Sequence, residues 1–483
     1  VKKHGATLLT IEAIQPAIGT ISNISNLSQQ HICTAPSQFS AAVLGLLKAV
    51  VEGNHIDSTI RQRASDYVTA VSHAVQQLAW DDLAVITGVQ RESFMQMAAS
   101  LAGGRRVVVL AGQTVLRSQG GYGICLNLLD LLLLTGKLTA QGCGFAPLAE
   151  ENNDQGAVEM GAVAALLPGA LDLTDQDARA QIARAWKEDL PVAAGATLTE
   201  IIDRAQAGII KGLFVVGENP VGSLPPQTGV KEALGKLDLL VCQELFLTET
   251  AALAHVVLPA ASAMEKAGTF TNTEGHVQAV RPAIDPLGDS RPDWEILSAL
   301  SIFIGVPLEY GDAKEILKEI RTVIPGYGSL GPSPIPPAVN PMVVERYVTE
   351  GYRRDLSTRY TLPARAVHQE GTVQLGLVQS LFHSGKLSTY SKGLLQIEPS
   401  GFLQMNSQDA ARYALSTGDR VRLSNSRGEF TTTAKVFDRV PEGLAWFPDH
   451  FAQDALRLFN CVVDPDTKVP SFRTVSVSVM KTT

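Results

Sequence analysis

Short apolar runs recur along this chain, and a segment with helical spacing or a polar loop follows each. "ATLLTIE" (6–12), "RRVVVLAG" (105–112), "GLFVVGENP", "DLLVCQ" and "HVVLPA" read as strands. "ATLLTIE" is apolar enough for a central parallel strand, and "RRVVVLAG" and "AHVVLPAAS" predict buried strands. Between them lie helical stretches. "APSQFSAAVLGLLKAVVEG" has Pro36 near its start and Gly53 at its end, the usual asymmetry of a helix. "QRESFMQMAASLAGG" spaces Phe94, Met97 and Leu101 on one face. "ICLNLLDLLLL" (124–134) is far shorter than the ~20 residues of a membrane helix and predicts a buried helix. Such β–α alternation predicts an α/β fold with doubly wound, Rossmann-like domains.

The pattern changes twice. Residues 323–341, "VIPGYGSLGPSPIPPAVNP", are rich in Pro and Gly without periodicity, and predict a linker or extended surface strap. From about residue 370 short alternating runs appear. "NSQDAARYAL" (406–415) predicts a capped helix, Asn425–Gly428 a hairpin turn, and Pro441–Gly443 a turn into a further strand. A small β-barrel with an inserted helix accounts for this region. The expected organisation is a first α/β domain over 1–160, a second over 161–322, the strap over 323–369 and the barrel over 370–483. The start "VKKHGATLLTIEA" has no Met and little lead-in before a strand. It predicts a domain cut at its N-terminus or a processed start.

Composition excludes some functions. A formal charge of -8 with no local basic cluster argues against nucleic-acid binding, which rests on cation–phosphate contacts. Cys33, Cys125, Cys143, Cys242 and Cys461 form no C-x-x-C pair, so the chain lacks the close thiolate spacing of iron–sulfur and zinc sites. Scattered cysteines suit a reducing compartment. The histidines show no i, i+4 pair; His383 and His450 lie in polar contexts without a metal-site pattern. "GYGSLG" (326–331) matches G-x-G-x-x-G but follows no clear strand and opens no helix, so it is not a dinucleotide fingerprint.

The polar loops are more informative. "MEKAGTFTNTEGHVQAV" (264–280) follows "AHVVLPAAS", which reads as a buried strand running into a loop. That loop holds Glu265, Lys266, Gly268, Thr269, Asn272, Thr273, Glu274, His276 and Gln278, more hydrogen-bonding groups than a simple connection needs. Gly217 and Asn219 in "GENP", Gln243 at the next strand end, and a helix "TETAALA" capped by Thr248 and flanked by Glu244 and Glu249 converge on the same rim. Ligands of open α/β sheets lie at such carboxyl ends. Two readings stand: a nucleotide-like site, or loops that merely hydrogen-bond each other.

"GENPVGSLP", "LDLLVCQELFLTETAALAHVVLPAASAMEKAGTFTNTEGHVQAVRPAIDP" and "RPDWEIL" resemble the molybdopterin oxidoreductase family. "LFHSGKLSTYSKGLL" and "MNSQDAARYALSTGDRVRLSNSRGEFTTTAKV" resemble its C-terminal double-psi β-barrel, the molybdopterin dinucleotide-binding domain. Within the family, "EENNDQGAVEMGA", "TNTEGHVQ" and the barrel motif most resemble the G subunit of NADH-quinone oxidoreductase, respiratory complex I; the formate dehydrogenase α-subunit comes second. The resemblance implies a pocket for molybdopterin guanine dinucleotide. Gly217, Asn219 and Pro220 would approach one cofactor arm. Gln243, Thr248 and Glu249 would line the nucleotide crevice. Glu265, Lys266, Gly268, Thr269 and Asn272 would shape the floor, and His383, Ser384, Gly385, Ser388 and Thr389 would cap it from the barrel.

Departures from the family pattern cluster on the chemistry. The family's Cys, selenocysteine or Ser ligand to molybdenum or tungsten, and its 4Fe-4S module, lie upstream of this segment. Where formate dehydrogenases carry Arg-Gly-Gln, the chain has Ala149, Glu150 and Glu151. Anionic formate would meet repulsion there rather than a charge-assisted bond. An Asp-Pro-Arg that often follows the first strand is Glu12, Ala13 and Ile14, and Lys386 and Tyr390 stand where enzymes commonly have Thr and Arg. The resemblance therefore implies a scaffold with no catalytic residue, no metal ligand and no cofactor of its own, its pocket vestigial. The partners implied are the other subunits of a membrane-associated NADH-oxidising complex. The chain itself would not span the membrane; it would sit in the cytoplasm on the inner membrane's cytoplasmic face.

Overall fold

The computed structural model describes residues 5–13, 24–118, 120–138, 140–149, 151–327, 331–332, 359–363, 371–380, 382–383, 385–472 and 474–482. The chain forms two compact units, residues 1–147 with 339–483, and residues 148–338. Most of the Pro-rich strap lies outside the described residues, as do Ile14, Glu150 and Ser384.

In the first unit the strands Leu9–Glu12 and Gln30–Cys33 pair in parallel, as do Val108–Ala111 and Gly144–Pro147. Helix Phe39–Glu52 buries Val43, Leu44, Leu46, Leu47 and Val50, and Gly53 ends it. Helix Arg91–Gly103 sets Phe94, Met97 and Leu101 against the same core, joined by Leu131 and Leu134 of helix Gly121–Leu134. These helices follow the apolar spacing of the sequence. Among the described residues no helix is long and apolar enough to cross a membrane.

The C-terminal part of this unit is a closed six-stranded barrel. Its order is Thr372–Val378, Leu444–Pro448, Phe402–Met405, Gly428–Val436, Arg420–Asn425 and Thr474–Lys481, which returns to the first. The first pair is parallel, as is Phe402–Met405 with Gly428–Val436. Val373, Leu375, Leu403, Met405, Val421, Leu423 and Val477 point inward. Closure removes the edges that an open sheet would expose. Asn406 caps helix Ser407–Arg412 by accepting from Asp409 N at 2.8 Å, and the hairpin turns at Asn425–Gly428.

The second unit centres on a three-stranded parallel sheet, Gly212–Val216, Leu239–Glu244 and Val256–Pro259, with the middle strand central. On one face Val215, Leu240 and Cys242 are buried, while Val257, in register beside Cys242, is exposed. The register places Phe214, Val216, Leu239 and Val256 on the other face, where they are 40%, 44%, 49% and 43% exposed. In the first unit Val108 and Leu110 are likewise exposed. The expectation of buried strands fails at "RRVVVLAG" and "AHVVLPAAS". An apolar run fixes strand propensity but does not count the layers stacked on it. A separate core joins Ile182, Val277, Val323, Ile324 and Tyr327. Val323, Ile324 and Tyr327 are therefore packed in that core while Pro325 and Gly326 between them are exposed; Val323 closes helix Ala313–Val323.

Candidate functional site

The strand carboxyl ends of the second unit bring "GENP", Gln243–Thr250 and the 262–276 segment together. Gly217 follows its strand at φ 64°, a conformation that favours glycine, and its N–H donates to Gln243 O at 2.9 Å. Pro220 opens the short helix Pro220–Ser223. The Asn219 side chain locks the two loops: its Oδ1 accepts from Thr250 Oγ1 at 2.8 Å and Thr250 N at 3.2 Å, while Nδ2 donates to Glu249 at 2.7 Å.

Thr248 is buried and accepts from Ala251 N at 3.2 Å, as a cap would. The element that follows is a three-residue 3-10 turn, Ala251–Leu253, whose N-cap is Thr250, and not the expected helix. A single turn accumulates too little peptide dipole to provide a helix-terminus anion site.

The 264–280 segment is also more regular than a loop. Gly268–Thr271 and His276–Val280 form an antiparallel hairpin, with Gly268 opposite Val280 and Thr269 opposite Ala279. Asn272 makes its turn, its Oδ1 accepting from Glu274 N and His276 N at 3.0 and 2.9 Å. Glu265 braces the approach by accepting from Ser262 N at 2.7 Å and Leu287 N at 2.9 Å; the Ser262 amide is the main reason its carboxyl sits below the usual range. Lys266 pairs with Asp293, whose other oxygen accepts from Gln243 Nε2 at 2.7 Å.

Gln243 is fully buried, and its Oε1 has no hydrogen-bond partner. Beside it, burial pushes the Glu244 carboxyl up; the Leu245 amide opposes that, and Glu218 and Asp293 add to it. This end of the sheet thus combines several carboxylates with one paired lysine.

Three residues here were missed by sequence reasoning. Asp293 organises Gln243 and Lys266; the "RPDWEIL" motif, with Pro292 preceding helix Asp293–Phe303, was the available signal. Glu159 is fully buried, accepting from Gln155 Nε2 at 3.0 Å and Thr271 Oγ1 at 3.0 Å. Tyr327 OH lies 3.1 Å from Thr271 Oγ1. Nothing local in the sequence signals the pairings of Thr271 with Glu159 and Tyr327, since those partners are far apart along the chain.

The barrel residues form their own cluster in the first unit. His383 is buried, with Nδ1 2.9 Å from Ser388 Oγ and Nε2 donating to Glu398 O at 3.0 Å. Ser388 also donates to Gly385 O at 2.6 Å, and Thr389 to Lys386 O at 2.7 Å. Gly385 has φ 80°. The His450 ring stacks on His383 at 4.8 Å, and neither of its nitrogens makes a hydrogen bond, although Asp449 Oδ1 lies 3.3 Å from Nδ1. Among the described residues no group of three or more His, Cys, Asp or Glu side chains could hold a metal ion.

The profile of the Molybdopterin oxidoreductase family matches residues 9–302, and that of the Molydopterin dinucleotide binding domain matches 376–476. The NADPH-Fe(3+) oxidoreductase subunit alpha of Geobacter sulfurreducens is 31% identical over 430 residues, 89% of this chain and 49% of that protein. The F420-dependent formate dehydrogenase subunit alpha of Methanocaldococcus jannaschii is 28% identical over 497 residues, 99% of the chain and 72% of that protein. The G 2 subunit of NADH-quinone oxidoreductase from Rhizobium meliloti is 33% identical over 371 residues, 75% of the chain and 41% of that protein. The chain thus spans about half the length of the Geobacter relative. Among solved structures, acetylene hydratase from Pelobacter acetylenicus superposes with a TM-score of 0.72 at 13% identity, covering 99% of this chain and 74% of its own, a likeness of fold.

Proposed function

The chain belongs to the molybdopterin oxidoreductase family, and from that membership we propose that it forms the large structural part of a component of NADH:quinone oxidoreductase resembling its G subunit. Electrons would pass through iron–sulfur clusters outside this segment, while this segment holds position among partner subunits on the cytoplasmic side of the membrane. The supporting observation is how the rim uses its polar groups. Asn219, Glu265 and Asn272 spend theirs on neighbouring backbone and side chains, and Lys266 is paired with Asp293. A group committed in this way would have to break its own loop to grip a ligand. The likeness to the Rhizobium meliloti G 2 subunit points the same way.

A second reading is favoured by different atoms. Gln243 Oε1 and both ring nitrogens of His450 are buried without hydrogen bonds, and buried polar atoms ordinarily have partners. Gln243 Oε1, an acceptor, fits the N–H of a heterocycle better than a metal, for which the described residues offer no ligand set. Under this reading the chain is part of a molybdenum or tungsten enzyme resembling formate dehydrogenase. Gln243 would then help hold the guanine dinucleotide from its own unit, and the pterin-bound metal would supply the redox chemistry.

Elemental analysis of the protein isolated with its natural flanking sequence and partner subunits decides between them. We expect molybdenum and tungsten well below one per chain, and no oxidised-pterin fluorescence after denaturation. Stoichiometric metal with pterin would overturn the scaffold reading. Thermal shifts with saturating guanine nucleotides test retained nucleotide binding alone, since any ligand of the native state raises the midpoint.

A further inference from the structure

Helix Gly121–Leu134 is almost wholly apolar, yet it carries Asp130 at 0% exposure among leucines. Tyr67, from helix Ser65–Gln76, donates to Asp130 Oδ1 at 2.5 Å. Tyr360 donates to Oδ2 at 2.6 Å, and the Arg359 guanidinium pairs with the same oxygen. One turn earlier Asn127 donates to Arg359 O at 3.3 Å, and its own Oδ1 lies 3.4 Å from Arg359 Nη2. One fully buried carboxylate thus gathers two phenols and a guanidinium, two of them from a segment about 230 positions away. Neither the strand-end site nor the family resemblance uses these groups.

The packing shows what this gathering fastens. Tyr360 belongs to the same core as Phe39, Leu44 and Leu131, and so do Val440, Leu444 and Trp446 of the barrel. The barrel has a second, independent core of Leu375, Leu403, Met405, Leu423 and Phe447. Its outer apolar residues must therefore find one orientation against the helices. Hydrophobic contact is non-directional and does not select an orientation by itself. Directional bonds to a buried charge do, and the two made by Arg359 and Tyr360 would be lost if the segment docked out of register. Isolated burial of the carboxylate would be costly, so the charge makes sense only with its partners in place.

We propose that Asp130 is a clasp: it docks residues 359–363 onto the helical layer and thereby fixes the barrel in one orientation within its unit. It is a positioning residue, and the barrel's own fold does not depend on it.

The test is hydrogen exchange on the full chain, read separately for residues 127–131 and 359–363 and for the barrel interior at 403–405 and 421–423. For Asp130→Asn we expect at least tenfold faster exchange in the first set and less than twofold change in the second, with two calorimetric transitions replacing one. Uniform acceleration in both sets would overturn the proposal, because the carboxylate would then support the unit as a whole. Should that variant fail to fold, Tyr360→Phe removes one of the segment's donors while Arg359 still balances the charge; we expect the same confined acceleration, smaller in size. No confined change in Tyr360→Phe overturns the clasp. The double replacement D130L/R359L keeps apolar volume and removes the pair. Wild-type exchange in both sets there would mean that packing alone docks the barrel, and would also overturn it.

Discussion

In the barrel Val373 and Leu375, Leu403 and Met405, and Val421 and Leu423 are buried at alternate positions, and closure joins the first strand to the last. In the parallel sheet of the second unit Phe214, Val216, Leu239 and Val256 share one face and meet solvent. Both regions use strand-forming residues of similar hydrophobicity. They differ in what completes them. A barrel covers its own apolar face by curling, so its pattern contains the whole solution. An open parallel sheet depends on separate layers for both faces, and its own strands do not reveal whether those layers are present.

The sharpest contrast comes from truncating one aromatic in each place. Phe447 is 2% exposed and meets Phe430 edge-on at 5.1 Å. Phe447→Ala should cost about 3–5 kcal/mol, the range for removing a buried aromatic, measured as the fall in the denaturant midpoint of the barrel transition. A loss under about 1 kcal/mol would mean that the barrel core is loosely filled, and the comparison would fail at its stronger end.

Close approach supplies a second probe. A Cβ on Gly376 would collide with Cζ3 of Trp446, and Trp446 is packed in the adjoining core. Gly376→Ala should destabilise by roughly 1–3 kcal/mol through overpacking, seen as a lower melting temperature. An unchanged melting temperature would show that the indole can swing clear.

Alkaline pH probes the helical core through one phenol. Burial pushes the Tyr360 phenol far above its usual 10.0; Asp130 and Tyr67 add to this, and Arg359 opposes it. The folded state keeps this proton where the unfolded chain releases it. The stabilisation is therefore complete below about pH 10 and declines as pH rises further, by up to about 1.4 kcal/mol per pH unit for one such phenol. Tyr327 is raised by burial in the same direction in the second unit. Denaturant midpoints from pH 8 to 11 should fall in the wild type and fall less in Tyr360→Phe; parallel curves would refute the assignment.

Legibility in the sequence follows the range of the interactions. Asn406 as a cap, Asn425–Gly428 as a turn and Gly53 as a helix end all act within a few residues of themselves, so the chain displays them. The rim was legible as a polar concentration, but the destination of its groups was not. Asn219 is committed to Thr250, and Gln243 to Asp293, 50 positions onward. The 264–280 segment has the look of a ligand loop because a hairpin turn and a binding loop draw on the same Asn, Thr and Gly. The Thr271–Glu159 bond and the Asp130 cluster join residues over a hundred positions apart. Local pattern carries no information about such pairs.

The weakest expected effect tests the open sheet itself. Phe214 is 40% exposed, so Phe214→Ser removes little packing from the folded unit. Surface substitutions of this kind usually stay within about 0.5 kcal/mol, and serine's lower strand propensity sets much of that small cost. Contiguous apolar surface also promotes association, so the same change should lower concentration-dependent self-association in sedimentation velocity while the melting temperature barely moves. A fall of several degrees would mean that Phe214 is packed in solution, making this face as complete as the barrel's. An unchanged melting temperature with reduced association would instead mark the sheet as a surface whose apolar residues are not used by the fold of their own unit.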